Sequence, residues 1–540
     1  MKQQYYASSA GSESYWNGYK GRAEMKYQKW YTNRLEWLGN YALNLGDHNI
    51  KAVVGYTYEK SIWEQIGGSN NDFSFDNTKY WDLGSGSYLK DGLASLYSGR
   101  SESTLIGFFG RLNYNWKDML FASASLRYEG SSKFGANQKW GYFPAASLAW
   151  EMMEMGFMKN TRKVLTSLKP RVSFGITGRS DFDAYKSLST YNTNGSYLFD
   201  GRWVTGYAPS SNANPDLAWE KSVAINLGVD FVLWNRLRGS VEYFDRSSKD
   251  LLYTYTAPQP PFVYSTILVN VGTTKNTGIE VSLDGDILTK TAVKWTSGIN
   301  YSYGKTKLTK LSNDIYKASY LDLYLKPGTG SSEYFFRVQE GGEIGQFYGY
   351  EYAGVDENGN MLILNDKDEQ IPISQADAKY KRYIGNGAPK HFLSWSNNLT
   401  WRNFDLSVFF RGTFGFDVFN MRKYGMGLQG CGTDNVLRSA YLEDKNIRTG
   451  GGVISSYFLE DGSFIKLENV TLGYNFTPKN RKLLDNMRIY LSAKNLFTLT
   501  GYSGNDPSII DVNGIQPGVD SNSAYPTATQ LSLGVTLRFK

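Results

Sequence analysis

The 540-residue chain has one cysteine, Cys431, and two histidines, His48 and His391. A single cysteine cannot close an internal disulfide, and low cysteine usage suits an envelope protein without fixing a redox compartment. Two histidines far apart in sequence give a histidine-based triad or a multi-histidine metal site little to build on. No H-E-x-x-H, C-x-x-C or G-x-S-x-G segment occurs. No apolar run reaches the roughly 18 residues that a membrane-spanning helix needs. The formal net charge of +7 is small for this length, and no lysine/arginine cluster stands out, so nucleic acid is not an expected partner. Prolines number only 14, which leaves few ladder-breaking positions. The opening residues, Met-Lys-Gln-Gln-Tyr-Tyr-Ala-Ser-Ser-Ala, have no apolar signal-peptide core.

What is abundant is aromatic and small. Tyr (41), Phe (29) and Trp (14) make up 16% of the chain, beside 56 Gly. Membrane-spanning β-barrels gather such aromatics in girdles at both interfaces. The mean hydropathy of −0.44 suits a soluble protein and equally a barrel with a wet lumen and polar loops. The C-terminal segment sharpens this. Leu531, Leu533, Val535, Leu537 and Phe539 fall on one face of a strand, and Gln530, Ser532, Gly534, Thr536 and Arg538 on the other. An edge strand of a soluble sandwich would alternate in the same way.

Alternation recurs along the chain, mostly in pairs joined by short polar turns. One pair covers Leu35 to Leu43 and Ile50 to Tyr58, across Gly46-Asp47-His48-Asn49. A second covers Ile106 to Trp116 and Leu120 to Tyr128, across Lys117-Asp118. A third covers Val223 to Leu233 and Leu237 to Tyr243, across Trp234-Asn235-Arg236. Further segments fall near 277–304, 391–413, 464–477, 487–499 and 529–540, with single strands near 141–151 and 168–178. The count is roughly sixteen strands. Long Gly/Ser/Asn/Asp-rich connections lie near 60–100, 179–215, 305–345 and 414–463. Short turns alternating with long loops are the asymmetry of an outer-membrane barrel, whose long loops are extracellular. The fold class is therefore all-β, an antiparallel transmembrane β-barrel. Sixteen spans of about 9–11 residues use only about 180 residues, so most of the chain is loop. No repeat of fixed period suggests a propeller or solenoid.

Catalytic and cofactor motifs fail on inspection. Residues 298–306, GINYSYGKT, have five residues between the glycines where a phosphate loop needs four, and Ile299, Tyr301 and Tyr303 alternate as a strand. Residues 425–430 match G-x-G-x-x-G but follow no βαβ pattern. Asp356-Glu-Asn-Gly-Asn360 hints at a calcium loop, yet Met361 and Lys367 occupy its glycine and glutamate positions, which favours a polar hairpin turn. Nothing singles out a carboxylate pair among the 51 acidic residues. No catalytic, metal or cofactor residue is assigned, and the chain is not read as an enzyme.

Asn214-Pro-Asp-Leu-Ala-Trp-Glu220 resembles the N-P-x-L-x-W-E segment that opens a barrel strand in the SusC/RagA family of TonB-dependent outer-membrane transporters. Tyr128-Glu-Gly-Ser-Ser-Lys-Phe134 with Gly141-Tyr-Phe-Pro144, and Asn270-Val-Gly272 with Asn276-Thr-Gly-Ile-Glu280, are similar to further blocks of that family. So are Gly345-Gln-Phe-Tyr-Gly-Tyr350 with Asp356-Glu-Asn-Gly359, the segment from Glu460-Asp-Gly-Ser-Phe464 to Gly473-Tyr474, and Ala493-Lys-Asn-Leu-Phe497 with Gly504-Asn-Asp-Pro507. All run in the family's order. The resemblance implies a barrel of about 22 strands, of which residues 1–540 would be the C-terminal part, a partial barrel. The plug domain, N-terminal extension and signal peptide of the family are not visible, and Lys540 follows the aromatic that usually ends such barrels.

The same resemblance implies outer-membrane import of oligosaccharides or peptides. A SusD-like surface lipoprotein would act as the lid, and the TonB-ExbB-ExbD complex would supply energy through the unseen N-terminal part. Loop aromatics such as Trp81, Trp203 and Tyr207 would face ligand or lid. Loop-packing or girdle roles are open to each of them. Two further readings stay open: a porin-like passive channel, and a soluble β-rich glycan-binding protein.

Overall fold

A strand with apolar residues on one face and polar residues on the other is stable only where two solvents meet. In the computed structural model such strands form one sheet. It describes residues 2–6, 18, 20–312, 317–326, 332–429, 435–442, 447–448, 452–478, 483–521, 525 and 527–540. Sixteen antiparallel strands pair in chain order. The wall strands are β1 (Lys2–Tyr6), β2 (Arg22–Leu45), β3 (His48–Asn71), β4 (Ser95–Trp116), β5 (Leu120–Ser131), β6 (Trp140–Trp150), β7 (Leu165–Arg179) and β8 (Glu220–Leu233). They continue as β9 (Leu237–Lys249), β10 (Thr273–Leu288), β11 (Val293–Lys310), β12 (His391–Trp401), β13 (Phe404–Phe414), β14 (Phe464–Phe476), β15 (Leu484–Thr500) and β16 (Gln530–Phe539). β1 and β16 stand at the two ends of this ladder.

The two faces separate as the alternation requires. Leu227, Val229, Leu531 and Val535 stand uncovered on the outer face. On the inner face, polar side chains bond across strands: Asn226 Nδ2 donates to Ser173 Oγ at 3.1 Å, Ser282 Oγ to Asn300 Oδ1 at 2.7 Å, and Thr471 and Ser492 meet at 2.9 Å. Asp230 lies 3.2 Å from the Arg171 guanidinium on this face, and Ser532 and Arg538 are in register with Ser492 and Asn486. At the short-turn end, Lys117 and Asp118 (φ 54° and 52°) and Trp234 and Asn235 (φ 51° and 54°) have the paired positive φ of type I′ hairpins.

Two sequence expectations need correction. The connection expected near 60–100 is only residues 72–94, because β2, β3 and β4 run for 24, 24 and 22 residues. At about 3.3 Å per residue, 24 residues span about 79 Å, far more than a bilayer strand of about 9–11 residues. Beyond the membrane both faces are wetted, so the apolar alternation fades although the ladder persists. Cross-strand ion pairs replace it: Arg34 with Glu59 at 2.6 Å, Arg100 with Glu64 at 3.3 Å and Lys60 with Glu102 at 3.4 Å. The short β1 strand also escaped notice, having too few residues for a periodicity to register.

The long connections are folded. Those around 310–390 and 414–463 share a core of Phe335, Phe336, Phe347, Met361, Phe419, Ile454 and Phe458. Residues 298–306 lie within β11, as a wall strand. Asp356 turns a hairpin, its carboxylate accepting from the backbone N–H of Asn358 at 2.9 Å and of Asn360 at 2.7 Å. Cys431 and Gly430 lie outside the described residues.

The separation of faces sets a test. Val229→Lys on the outer face should destabilise the barrel by about 2–4 kcal/mol, whereas Asn226→Lys on the inner face should cost much less. Urea unfolding of the protein in detergent or lipid, followed by heat-modifiable gel migration, reads the difference; equal losses would mean that the faces are assigned wrongly.

Candidate functional site: a cleft over a polar lumen

At the long-loop end, three of the sequence blocks that carry the family resemblance, 128–144, 214–220 and 270–280, meet one another. Phe134, Phe143, Leu217 and Trp219 form a buried cluster, with Phe134 and Trp219 ring centroids 4.4 Å apart. Trp219 Nε1 donates to the Lys139 carbonyl at 3.0 Å. Asn214 Nδ2 donates to the Leu268 carbonyl at 2.7 Å, and the Asn270 carboxamide accepts from the Ala218 N–H at 2.7 Å and donates to the Ala218 carbonyl at 2.8 Å. Gly135 passes so close to this knot that a Cβ would sit 1.9 Å from the Pro215 carbonyl oxygen. Each asparagine satisfies backbone groups that a loop would otherwise bury unpaired. The blocks therefore clamp the connections onto the barrel rim.

Within this frame opens a cleft of about 1280 Å³. Trp30 and Trp63, directly opposite each other on β2 and β3, line one side; Tyr185, Tyr264 and Phe182 come from the loops. Arg100, Lys133 and Lys186 bring positive charge to it, and Asp181 and Asp183 negative. Aromatic faces with mixed charges and hydroxyls suit a polar, extended ligand, and no group of three or more metal-ligating side chains occurs among the described residues.

The aromatics singled out in the sequence sit elsewhere. Trp203 and Tyr207 lie on one face of a loop hairpin, Tyr191–Phe199 with Arg202–Pro209, where Leu198 is directly opposite Trp203. They are 75% and 72% exposed. Trp81, 76% exposed, lies in the 72–94 connection and stacks on Tyr80 at 5.7 Å. None of the three lines the cleft, and no ring contact joins Trp81 to the other two among the described residues. Ser210 and Ser211, which follow the second strand of the hairpin, do line it. Sequence reasoning passed over Trp30 and Trp63, because the register that brings them together appears only in the paired strands.

Deeper, a cavity of about 370 Å³ lies between the inner wall (Glu242, Glu280, Arg411) and an inserted loop (Pro507, Ile510). A buried ion pair anchors that loop: Lys466 Nζ lies 3.0 Å from Asp506 and 2.8 Å from Ser508 Oγ. Burial pushes the Asp506 carboxyl up, but bonds from Thr527, Ser508 and Lys466 outweigh this and hold it below the usual carboxylate range. In the loop core, Glu333 is bridged by Lys326 at 2.6 Å and Lys381 at 2.7 Å; burial opposes its ionisation, and these two ammonium groups prevail, lowering its pKa. The two histidines are separate, His48 bonded to Tyr114 at 2.7 Å and His391 to Tyr301 at 2.8 Å.

Comparison with known proteins gives this architecture its relatives. The family model described as TonB dependent receptor-like, beta-barrel matches residues 2–496. The TonB-dependent receptor P3 of Formosa agariphila is 28% identical over 561 aligned residues, covering 97% of this chain and 54% of that protein. The TonB-dependent receptor SusC of Bacteroides thetaiotaomicron is 27% identical, covering 95% of this chain and 51% of that protein. Among solved structures, the RagAB peptide importer in its 'closed-closed' state superposes with a TM-score of 0.81 at 24% identity, over 96% of this chain and 56% of that one. A second structure, titled as the RagAB peptide transporter, gives 0.78 at 26% identity, over 96% of this chain and 56% of that one. The chain spans about half the length of the curated relatives it matches.

Two outcomes follow from the ion pairs. Lys466→Met leaves Asp506 buried without its partner and should weaken the seating of the inserted loop by about 3–5 kcal/mol; limited proteolysis within 501–521 should accelerate while the wall stays resistant. Glu333, with a lowered folded pKa, contributes stability that is complete above the ordinary carboxylate range and lost as pH falls through the folded value. Amide protection factors at Phe335 and Phe336, taken relative to intrinsic exchange at each pH, should therefore be steady near neutrality and fall in acid, and Glu333→Gln should flatten that acid limb.

Proposed function

The chain belongs to the TonB-dependent receptor β-barrel family, of SusC/RagA type, in the outer membrane, and we propose that it forms the barrel of an importer that takes up oligosaccharides or peptides. The observation that carries this reading is the arrangement of the cleft, opening at the long-loop end over a wall whose inner face carries cross-strand polar bonds such as Asn226–Ser173, Ser282–Asn300 and Thr471–Ser492. Ligand held between the cleft aromatics would have its next hydrogen-bond partners on that inner face. Energy would come from a TonB-ExbB-ExbD complex acting through parts of the receptor beyond this barrel.

The lid in this proposal is a SusD-like surface lipoprotein, and the hairpin bearing Trp203 and Tyr207 is its landing point. A two-stranded hairpin with apolar side chains on both faces, Trp203, Tyr207 and Leu198 on one and Tyr197 and Phe199 on the other, is a poor match for bulk water. Large aromatic anchors of this kind dominate protein interfaces. Trp81 would contact ligand or lid from the opposite connection. No catalytic step is proposed; the relatives named above are receptors and transporters.

Uptake should be saturable, should require TonB energy and should depend on the lipoprotein. Trp203→Ala with Tyr207→Ala should weaken lipoprotein binding by at least about 2 kcal/mol, roughly thirtyfold, with unchanged barrel assembly. Co-purification and binding titration read the first, and heat-modifiable migration the second. Undiminished uptake after removal of TonB would leave passive diffusion as the better account.

A further inference from the structure

β4 is longer than its neighbour on one side. Its register with β3 is unbroken from Trp116 to Ser95, but β5 pairs only with residues 105–116. Below the Thr104–Ser132 bonds, residues 95–101 therefore carry an edge with no strand partner beyond the membrane among the described residues. The direction of that edge can be read from two bonds. The Thr104 N–H donates to Ser132 Oγ at 2.9 Å, and the Glu102 N–H donates to the Tyr185 hydroxyl at 3.0 Å, both away from β3. Strand geometry then turns the N–H and C=O of Arg100, Ser98 and Leu96 the same way. These three residues are exposed, Leu96 at 84%. The usual protections of an edge, a bulge or a proline, are absent from this stretch. The Arg100 and Glu102 side chains are drawn to Glu64 and Lys60 on the sheet face and do not cover it.

The open edge borders the cleft: Arg100, Ser101 and Ser103 form part of its lining, facing loop residues 181–186. We infer that residues 96–102 are a strand-addition site, at which an extended peptide pairs with β4 inside the cleft. The occupant is decided by the pattern of groups. Donors and acceptors recur at every second residue, about 6.8 Å apart, and the backbone of another extended peptide repeats them at that spacing. Sugar hydroxyls carry no such repeat. A segment of about five residues would cover Leu96, Ser98 and Arg100. Alternate side chains would then point toward Trp30 and Trp63 or toward the Arg100–Glu64 face. Beyond the Thr104–Ser132 bonds, the Tyr185 hydroxyl is the contact made with this edge among the described residues, and it marks where the peptide's end would lie.

The inference rests on the import reading and narrows its ligand to peptide. The test uses the receptor as its whole gene encodes it, in lipid nanodiscs, with fluorescently tagged tryptic peptides of casein as probe. Ser98→Pro removes a donor that points away from the β3 ladder, so the wall is preserved; Ser98→Ala keeps that donor. Ser98→Pro should reduce peptide retention at least tenfold and Ser98→Ala should leave it unchanged. Bound peptide should slow amide exchange at Ser98 and Arg100, and N-methylation of alternate peptide amides should abolish retention. Retention equal in wild type and Ser98→Pro, or no retention by a correctly assembled barrel, would overturn the inference. Loss of TonB stops import without changing retention, so failure of the import reading registers separately.

Discussion

The constraint on which the rest of this structure depends is that no backbone N–H or C=O may face lipid unpaired. Helices and closed ladders alone meet it, and among the described residues no helix is long and apolar enough to cross a membrane. The consecutive antiparallel ladder is the consequence: each strand meets its sequence neighbour, joined at one end by turns as short as the I′ type allows. Because side chains alternate across a strand, the same ladder sorts outer apolar residues such as Leu227 from inner polar ones such as Asn226 without further instruction.

Above the membrane that constraint is lifted and another replaces it. The connections are too long to be solvated coils over a compact rim, so their buried backbone needs partners. Asn212, Asn214 and Asn270 supply them, each bonding main-chain groups of a distant loop. Aromatic clusters around Trp219 and Phe347 supply the apolar contact. The blocks shared with the family are thus mostly architectural. They hold a frame in which the intervening residues, including those lining the cleft, can vary.

This division explains what was legible in the sequence. Wall strands such as β8 and β9 were readable because lipid and lumen impose opposite chemistry on successive residues, and their turns carry positive-φ positions. The family blocks were readable because Trp219 or Asp506 has a fixed geometric task. The upper halves of β2–β4 were not, since water on both faces removes the alternation and leaves ion pairs that any register could offer. The cleft was not readable either: Trp30 and Trp63 become neighbours only through a pairing that starts near the Leu45–His48 turn, many residues away. Trp203 and Tyr207 stood out as loop aromatics and are exposed, but the sequence could not say that neither lines the cleft.

The extension of β2, β3 and β4 past the bilayer has a physical consequence for ligand capture. A sheet that continues upward carries the lumen's ladder geometry into the water phase and gives the mobile parts of a receptor something rigid to close against. Its ion pairs are solvent-exposed and individually contribute little, so its rigidity comes from the ladder and from the contacts with the clamped loops. The side of the cleft bearing Trp30 and Trp63 is therefore preorganised, and the side bearing Tyr185 is tied to the same frame by the Glu102 N–H to the Tyr185 hydroxyl, by Ser187 to the Phe134 carbonyl and by Phe182 against Phe134. A surface held rigid in this way costs little to order when it is contacted. Both sides are thus held by one frame, and the residues that line the cleft fall largely between the blocks that resemble the family.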